Sequence, residues 1–212
     1  MIFIVNLSAA LVAALFLHIL RIIYNLNNNY TEVKNMSEKS KAQKVALSGV
    51  LIGIAVIFGT FSIPIGVAKI SPVQHFVNVV GAITLGPVYA MANAFAASLI
   101  RNILGTGSLL AFPGSMIGAF LAGIFYKNFK KIFAAVIGEV IGTGILGAIL
   151  AYPIAKLFMG KEGAIFMFVS PFIMSCILGA IMGYVFLKIP IIQNTLINNE
   201  TTNNKRKNVG QV

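Results

Sequence analysis

Apolar and polar positions fall in long blocks along this chain, without the short alternations of a soluble domain. Apolar stretches occur at Met1–Leu20, Val45–Ile63, Phe76–Ile100, Leu109–Tyr126, Ile132–Ala155 and Gly163–Leu187. About 20 such residues cross the hydrocarbon core of a bilayer, so each is a candidate membrane helix. Between and after them lie the Asn/Lys-rich segment Asn25–Lys44, the basic Lys127–Lys131 and a polar tail from Lys188. The Asn25–Tyr30 run and the tail show no apolar periodicity and read as solvated.

The third stretch is interrupted by Gly86-Pro87. Proline removes a backbone donor and drives the residue before it out of the helical region, so a turn there is cheap. Taken as a turn, it yields two short helices, about Pro72–Leu85 and Pro87–Asn102. Charge then decides between a turn and a kink. With a turn, Arg21, Lys34, Lys39, Lys41, Lys44, Lys127, Lys130, Lys131, Lys188, Lys205, Arg206 and Lys207 share one side, and only Lys69, Arg101, Lys156 and Lys161 the other. With one unbroken helix the basic residues divide evenly. Cytoplasmic flanks collect Lys and Arg, so the turn is favoured, with the basic linker and the tail inside. Each short helix rises roughly 21–24 Å, less than the ~30 Å core, and therefore needs protein around its ends.

The expectation is an all-α polytopic membrane protein: a six-helix bundle over residues 45–190, preceded by an anchor and basic linker (1–44) and followed by a polar tail (191–212). Met1–Leu20 lacks a basic start and a small-residue cleavage site, so it reads as an extra anchor helix with its N-terminus outside. Composition agrees: 58% of residues are hydrophobic and 10% charged, against about 25% charged in soluble domains. The net charge of +11 is accounted for by topology, so no nucleic-acid partner is expected. One cysteine, two histidines and no aspartate leave nothing from which to build a disulfide or a metal cluster, and no cofactor is expected.

Lipid gives no hydrophobic drive between helices, so small residues must provide close packing. They recur at four-residue spacing: Gly49/Gly53, Gly114/Gly118/Ala122, Gly138/Gly142 and Ser175/Gly179/Gly183. Ala42 and Ala46 extend the first ladder into the headgroup region beside Lys41 and Lys44. That strip suits a partner helix lying along the membrane surface. Gly142-x-Gly144-x-x-Gly147 matches a dinucleotide fingerprint, but inside an apolar span, where that reading fails. There is no P-loop, so this chain cannot itself use ATP.

Few polar residues remain to be explained. Glu139 is the single acid in the spans, about 12 Å in by helical rise from Lys131, where a charge costs about 2.5–3.5 kcal/mol on insertion scales. It should face a cavity or a partner, with Thr143 on the same face. Arg101 and Asn102 end the third core helix, followed by a loop with Thr106 and Ser108; His75 and Asn78 open the second. These groups are expected to converge near the outer mouth, with Glu139 and Thr143 as the floor. An Arg101–Glu139 ion pair joining two helices is the structural alternative. His75 and Glu139 come from opposite ends of their helices, which speaks against acid–base work between them.

The runs Ser71-Pro-Val-Gln-His75-Phe-Val-Asn78, Leu85-Gly-Pro87-Val-Tyr-Ala90, Ser98-Leu-Ile-Arg101-Asn102-Ile-Leu-Gly105-Thr-Gly107-Ser-Leu-Leu-Ala-Phe-Pro113-Gly-Ser and Gly138-Glu139-Val-Ile-Gly142-Thr-Gly144 resemble the ThiW family. These are substrate-binding S components of energy-coupling factor (ECF) transporters, assigned to the thiazole precursor of thiamine. The resemblance covers about Ala42–Leu187; the N-terminal extension departs from it. It implies outer loops that close over a small heteroaromatic vitamin precursor, a transmembrane scaffold partner and two ATPase subunits. It also implies that Ala42 and Ala46 meet the scaffold, with the contact shifting onto Gly49 and Gly53 because Val50 occupies the next rung.

The first reading is thus uptake of hydroxyethylthiazole, with His75, Asn78 and the Arg101–Ser108 segment holding the ring and Glu139 and Thr143 completing the site. The alternatives are a membrane-embedded enzyme using Glu139 and His75, and an autonomous channel or secondary carrier. The latter usually shows inverted repeats and ion-coupling residues, which are not visible here.

Overall fold

Residues 41–65, 68–160 and 168–193 are described in a computed structural model of the chain. The anchor segment Met1–Leu20, most of the basic linker and the tail beyond Gln193 lie outside the described residues. The chain runs α1 (Lys41–Gly59), strands β1 (Ile63–Ile65) and β2 (Ala68–Ile70), α2 (Pro72–Leu85), α3 (Pro87–Ile103), α4 (Ala111–Phe129), α5 (Ile132–Glu139), a π-helical segment Val140–Gly147, α6 (Ala148–Met159), α7 (Val169–Lys188) and a short α8 (Pro190–Gln193). The protein is nearly all helical, as expected. Three helical stretches, Lys41–Gly59, Ile132–Phe158 and Val169–Lys188, are long and apolar enough to cross a membrane, and α2 is a shorter apolar helix.

Gly86 carries the turn. Its φ of 87° and ψ of 173° end α2 and start α3, and a proline occupies the first helical position of both helices. The two helices fold back on each other: a Cβ on Gly81 would lie 3.9 Å from the Cβ of Ala90, and Arg101 near the end of α3 reaches Gln74 at the start of α2. A kinked single helix would hold these groups far apart. α2 is buried along its length from Gln74 to Leu85, surrounded by α1, α3, α4, α5 and α7. The protein around it satisfies the requirement that a short helix be screened from lipid.

The antiparallel ribbon, with Ile63 opposite Ile70 and Ile65 opposite Ala68, was not foreseen. It shortens the first helix, which ends at Gly59 rather than Ile63. Thr60 Oγ1 donates to the Ile57 carbonyl at 2.6 Å and Phe61 N–H to that of Phe58, closing the last turn. Elsewhere Lys130 (φ 54°) and Gly160 (φ 61°) end α4 and α6 in the left-handed conformation.

Small residues set the helix spacing. On α4 the ladder Ala122, Gly118, Gly114 meets Gly138, Gly142 and Gly147: a Cβ on Gly138 would lie 2.8 Å from Ala122 Cα, and one on Gly142 2.6 Å from Gly118 Cα. The next contact is Gly147 on Gly114. The α4 rungs are spaced four and four, but the facing rungs four and five. The π-helical segment between Gly142 and Gly147 absorbs the extra residue, which a regular α-helix could not. The G-x-G-x-x-G run therefore sits in a helix against α4. Gly179 and Gly183 of α7 similarly admit α2, facing His75 Cβ and Phe76 N, and Val79, respectively. Side chains such as Ile137, Ile141, Ile145, Leu150, Ile177, Ile181 and Val185 are left on the outside, the apolar surface that a bilayer covers.

Candidate functional site

The polar side chains gather around the start of α2. Glu139 has no exposed surface. Its Oε1 accepts from Asn78 Nδ2 at 3.0 Å and lies 2.8 Å from His75 Nδ1 and 3.0 Å from Thr143 Oγ1. With the carboxylate as acceptor, His75 carries its hydrogen on Nδ1; Nε2 has no partner among the described residues. Thr143 is also 3.0 Å from the Gly114 carbonyl, and its single hydrogen serves one of the two. Asn78 Nδ2 reaches the Ser115 carbonyl at 3.1 Å, and Asn78 Oδ1 accepts from Gln74 Nε2 at 3.4 Å.

Arg101 forms the other pole. It is 4% exposed, and its guanidinium donates to Gln74 Oε1 at 3.3 Å and to the Gly59 carbonyl at 2.7 Å. Gly59 is needed for this approach, since a Cβ there would lie 2.7 Å from Arg101 Nε. The expected alternative, an Arg101–Glu139 ion pair, is not what forms. Gln74 and Asn78 stand between the two charges as a directed relay: Arg101 donates to Gln74, Gln74 to Asn78, and Asn78 to Glu139. Asn102 and Thr106 shape the following loop: Asn102 Nδ2 donates to the Ser98 and Ser108 carbonyls at 2.7 and 3.2 Å, and Thr106 Oγ1 to the Arg101 carbonyl at 3.3 Å. Ser108 Oγ accepts from Leu110 N–H at 3.3 Å.

A cavity of about 60 Å³, the space open to the centres of water molecules, lies between these elements. Its wall comprises Ser71, Gln74 and His75 of the α2 start, Arg101, Gly107, Ser108 and Leu110 of the loop, Ala111, Gly114 and Ser115 of α4, Thr143, and Phe172 and Ser175 of α7. Space of this size suits a small molecule.

Of the eight expected site residues, His75, Arg101, Ser108 and Thr143 line this cavity. Glu139 and Asn78 lie behind it and hold His75, Thr143 and Gln74, while Asn102 and Thr106 hold the loop. The expectation that His75 and Glu139 lie apart is overturned by their 2.8 Å contact. The reason is the length of α2: His75 stands ten residues before Leu85, about 15 Å by helical rise, so the start of this helix stays at the depth of Glu139. Sequence reasoning missed Gln74, Ser71 and Ser175 as cavity residues. The signal for Gln74 was present, a primary amide four residues before Asn78 on an otherwise apolar helix; Ser175 reads from sequence as one more rung of a packing ladder.

A helical bundle with an apolar exterior and a small interior cavity, lined by apolar surface and a few polar groups, has the make-up of a membrane protein. The comparison with known families makes this specific. The chain belongs to the ThiW family, thiamine-precursor transporter proteins, whose model matches residues 45–191. It is therefore a transporter of the membrane and not an enzyme. No curated protein and no solved structure matches the chain.

Proposed function

We propose that this chain is the substrate-binding S component of an ECF-type importer and that its ligand is a single-ring thiamine precursor, hydroxyethylthiazole. The cavity carries this reading: it is small and has an apolar contribution from Leu110, Ala111 and Phe172, with a few convergent polar groups, as small-ligand sites do. His75, oriented by Glu139, and Thr143 face one part of the ligand; Arg101 and Ser108 face the other.

The rest of the importer is proposed from the chain's own surface. Ala42, Ala46 and Gly49 are exposed, and a Cβ on Gly49 or Gly53 would meet nothing within 4 Å. Every other helical glycine ladder in the bundle is filled by a neighbouring helix. This open strip suits the transmembrane scaffold subunit, which would couple to two ATPase subunits, since the sequence has no P-loop. The basic linker and the tail are assigned to the cytoplasmic side by the positive-inside rule.

Reconstitution tests the assignment. Proteoliposomes with this chain, scaffold, ATPases and internal ATP should accumulate labelled hydroxyethylthiazole, and vesicles with this chain alone should not. Accumulation by the chain alone would instead favour an autonomous carrier.

A further inference from the structure

The charge of the cavity wall is unbalanced. Arg101 is buried and lines the cavity, yet both groups holding it, Gln74 Oε1 and the Gly59 carbonyl, are neutral. The one ion pair among the described residues is His75 with Glu139. Glu139 does not line the cavity, and its Oε1 is engaged by His75, Asn78 and Thr143 on the far side of the wall. No acid lines the cavity, whichever protonation state His75 adopts. A buried cation held only by neutral groups calls for an anion nearby. The C-terminal end of α3 offers only roughly half an elementary charge toward this.

Ser71 of the wall precedes α2, and Ala111, also in the wall, begins α4. Two helix N-termini thus add positive potential at the same place.

We propose that the cavity selects, within single-ring heteroaromatic ligands, those bearing an anionic substituent, a carboxylate in the first instance, with Arg101 as its counter-charge. Gln74 is the positioning residue: an amide there holds the guanidinium without neutralising it, and the charge is left for the ligand. This rests on the proposed reading of the cavity as the thiazole site and names which thiazole it prefers.

The test is calorimetric titration of the full-length chain in nanodiscs with 4-methylthiazole-5-carboxylate and with hydroxyethylthiazole at low salt. The carboxylate is expected to bind at least tenfold more tightly than the alcohol. Gln74→Glu places a carboxylate against Arg101 and should lower the ratio of acid to alcohol affinity tenfold or more, whatever happens to each affinity. Equal binding, or tighter binding of the alcohol, by the unmodified chain overturns the anion preference and leaves the thiazole reading standing, a result that needs no variant to fold. A Gln74→Glu chain with an unchanged ratio overturns the part given to Gln74 and Arg101. Binding of neither compound removes the thiazole reading, and the preference with it.

Discussion

His75 Nδ1 lies 2.8 Å from Glu139 Oε1, joining the first turn of the buried helix α2 to the end of α5, where the π-helical segment begins. A lone carboxylate in a membrane interior is expensive, and here His75 and Asn78 meet Oε1, with the Thr143 hydroxyl 3.0 Å away, while Oε2 is buried without a partner. Through the His75 contact the acid, which does not touch the cavity, fixes which nitrogen of His75 carries hydrogen and how the ring stands in the wall.

Glu139→Gln keeps an acceptor oxygen but removes the charge. Hydrogen bonds to a charged group contribute about 1.5–3 kcal/mol, so the substitution should lower the unfolding temperature by roughly 5 °C and weaken thiazole binding about tenfold. Glu139→Leu should do more of both. Thermal unfolding and titration in the same detergent check this; unchanged affinity in the glutamine variant would separate the acid from the site.

Gly118→Ala tests the packing beneath the site. The added methyl would lie 2.8 Å from Glu139 Oε2 and against the Thr143 hydroxyl. Overpacking of this kind costs about 1–3 kcal/mol, and binding should fall with stability. Gly53→Ala is the contrast, because nothing lies within 4 Å of its methyl. The isolated chain should unfold at the same temperature or slightly higher, as alanine is the better helix former by about 1 kcal/mol.

Much of this could be read along the chain. Gly86-Pro87 marked the turn between α2 and α3 because proline chemistry and the distribution of basic residues agreed. The Glu139–Thr143 pairing followed from helical spacing. The ribbon at Ile63–Ile70 was hidden because strands of three residues have too little period to detect. The π-helical segment was hidden for another reason: its cause is the spacing of Gly114 and Gly118 on a different helix. The contact of His75 with Glu139 required the depth of α2, which depends on packing rather than on the pattern of the helix itself.

Gly86 sits at φ 87° and ψ 173°, a region that side chains rarely enter. Gly86→Ala should cost about 1–3 kcal/mol and reduce the yield of folded protein. Chemical denaturation in mixed micelles would show it; an alanine variant as stable as the parent would contradict the turn geometry.

Replacing Ala46 and Gly49 by leucine fills the open strip on α1 without reaching the cavity. Ligand affinity of the isolated chain should stay within about twofold, while ATP-driven uptake with the scaffold and ATPases should fall at least tenfold. Uptake at the parental rate would place the partner elsewhere.

The most direct measurement is titration of the purified full-length chain, free of any partner, with hydroxyethylthiazole and with thiamine. The assignment to a thiazole precursor predicts saturable one-to-one binding of the thiazole with Kd of about 1 μM or below, close to −8 kcal/mol, and at least hundredfold weaker binding of thiamine. Binding of thiamine as tight as that of the thiazole, or no binding of the thiazole at all, would contradict the assignment of this cavity.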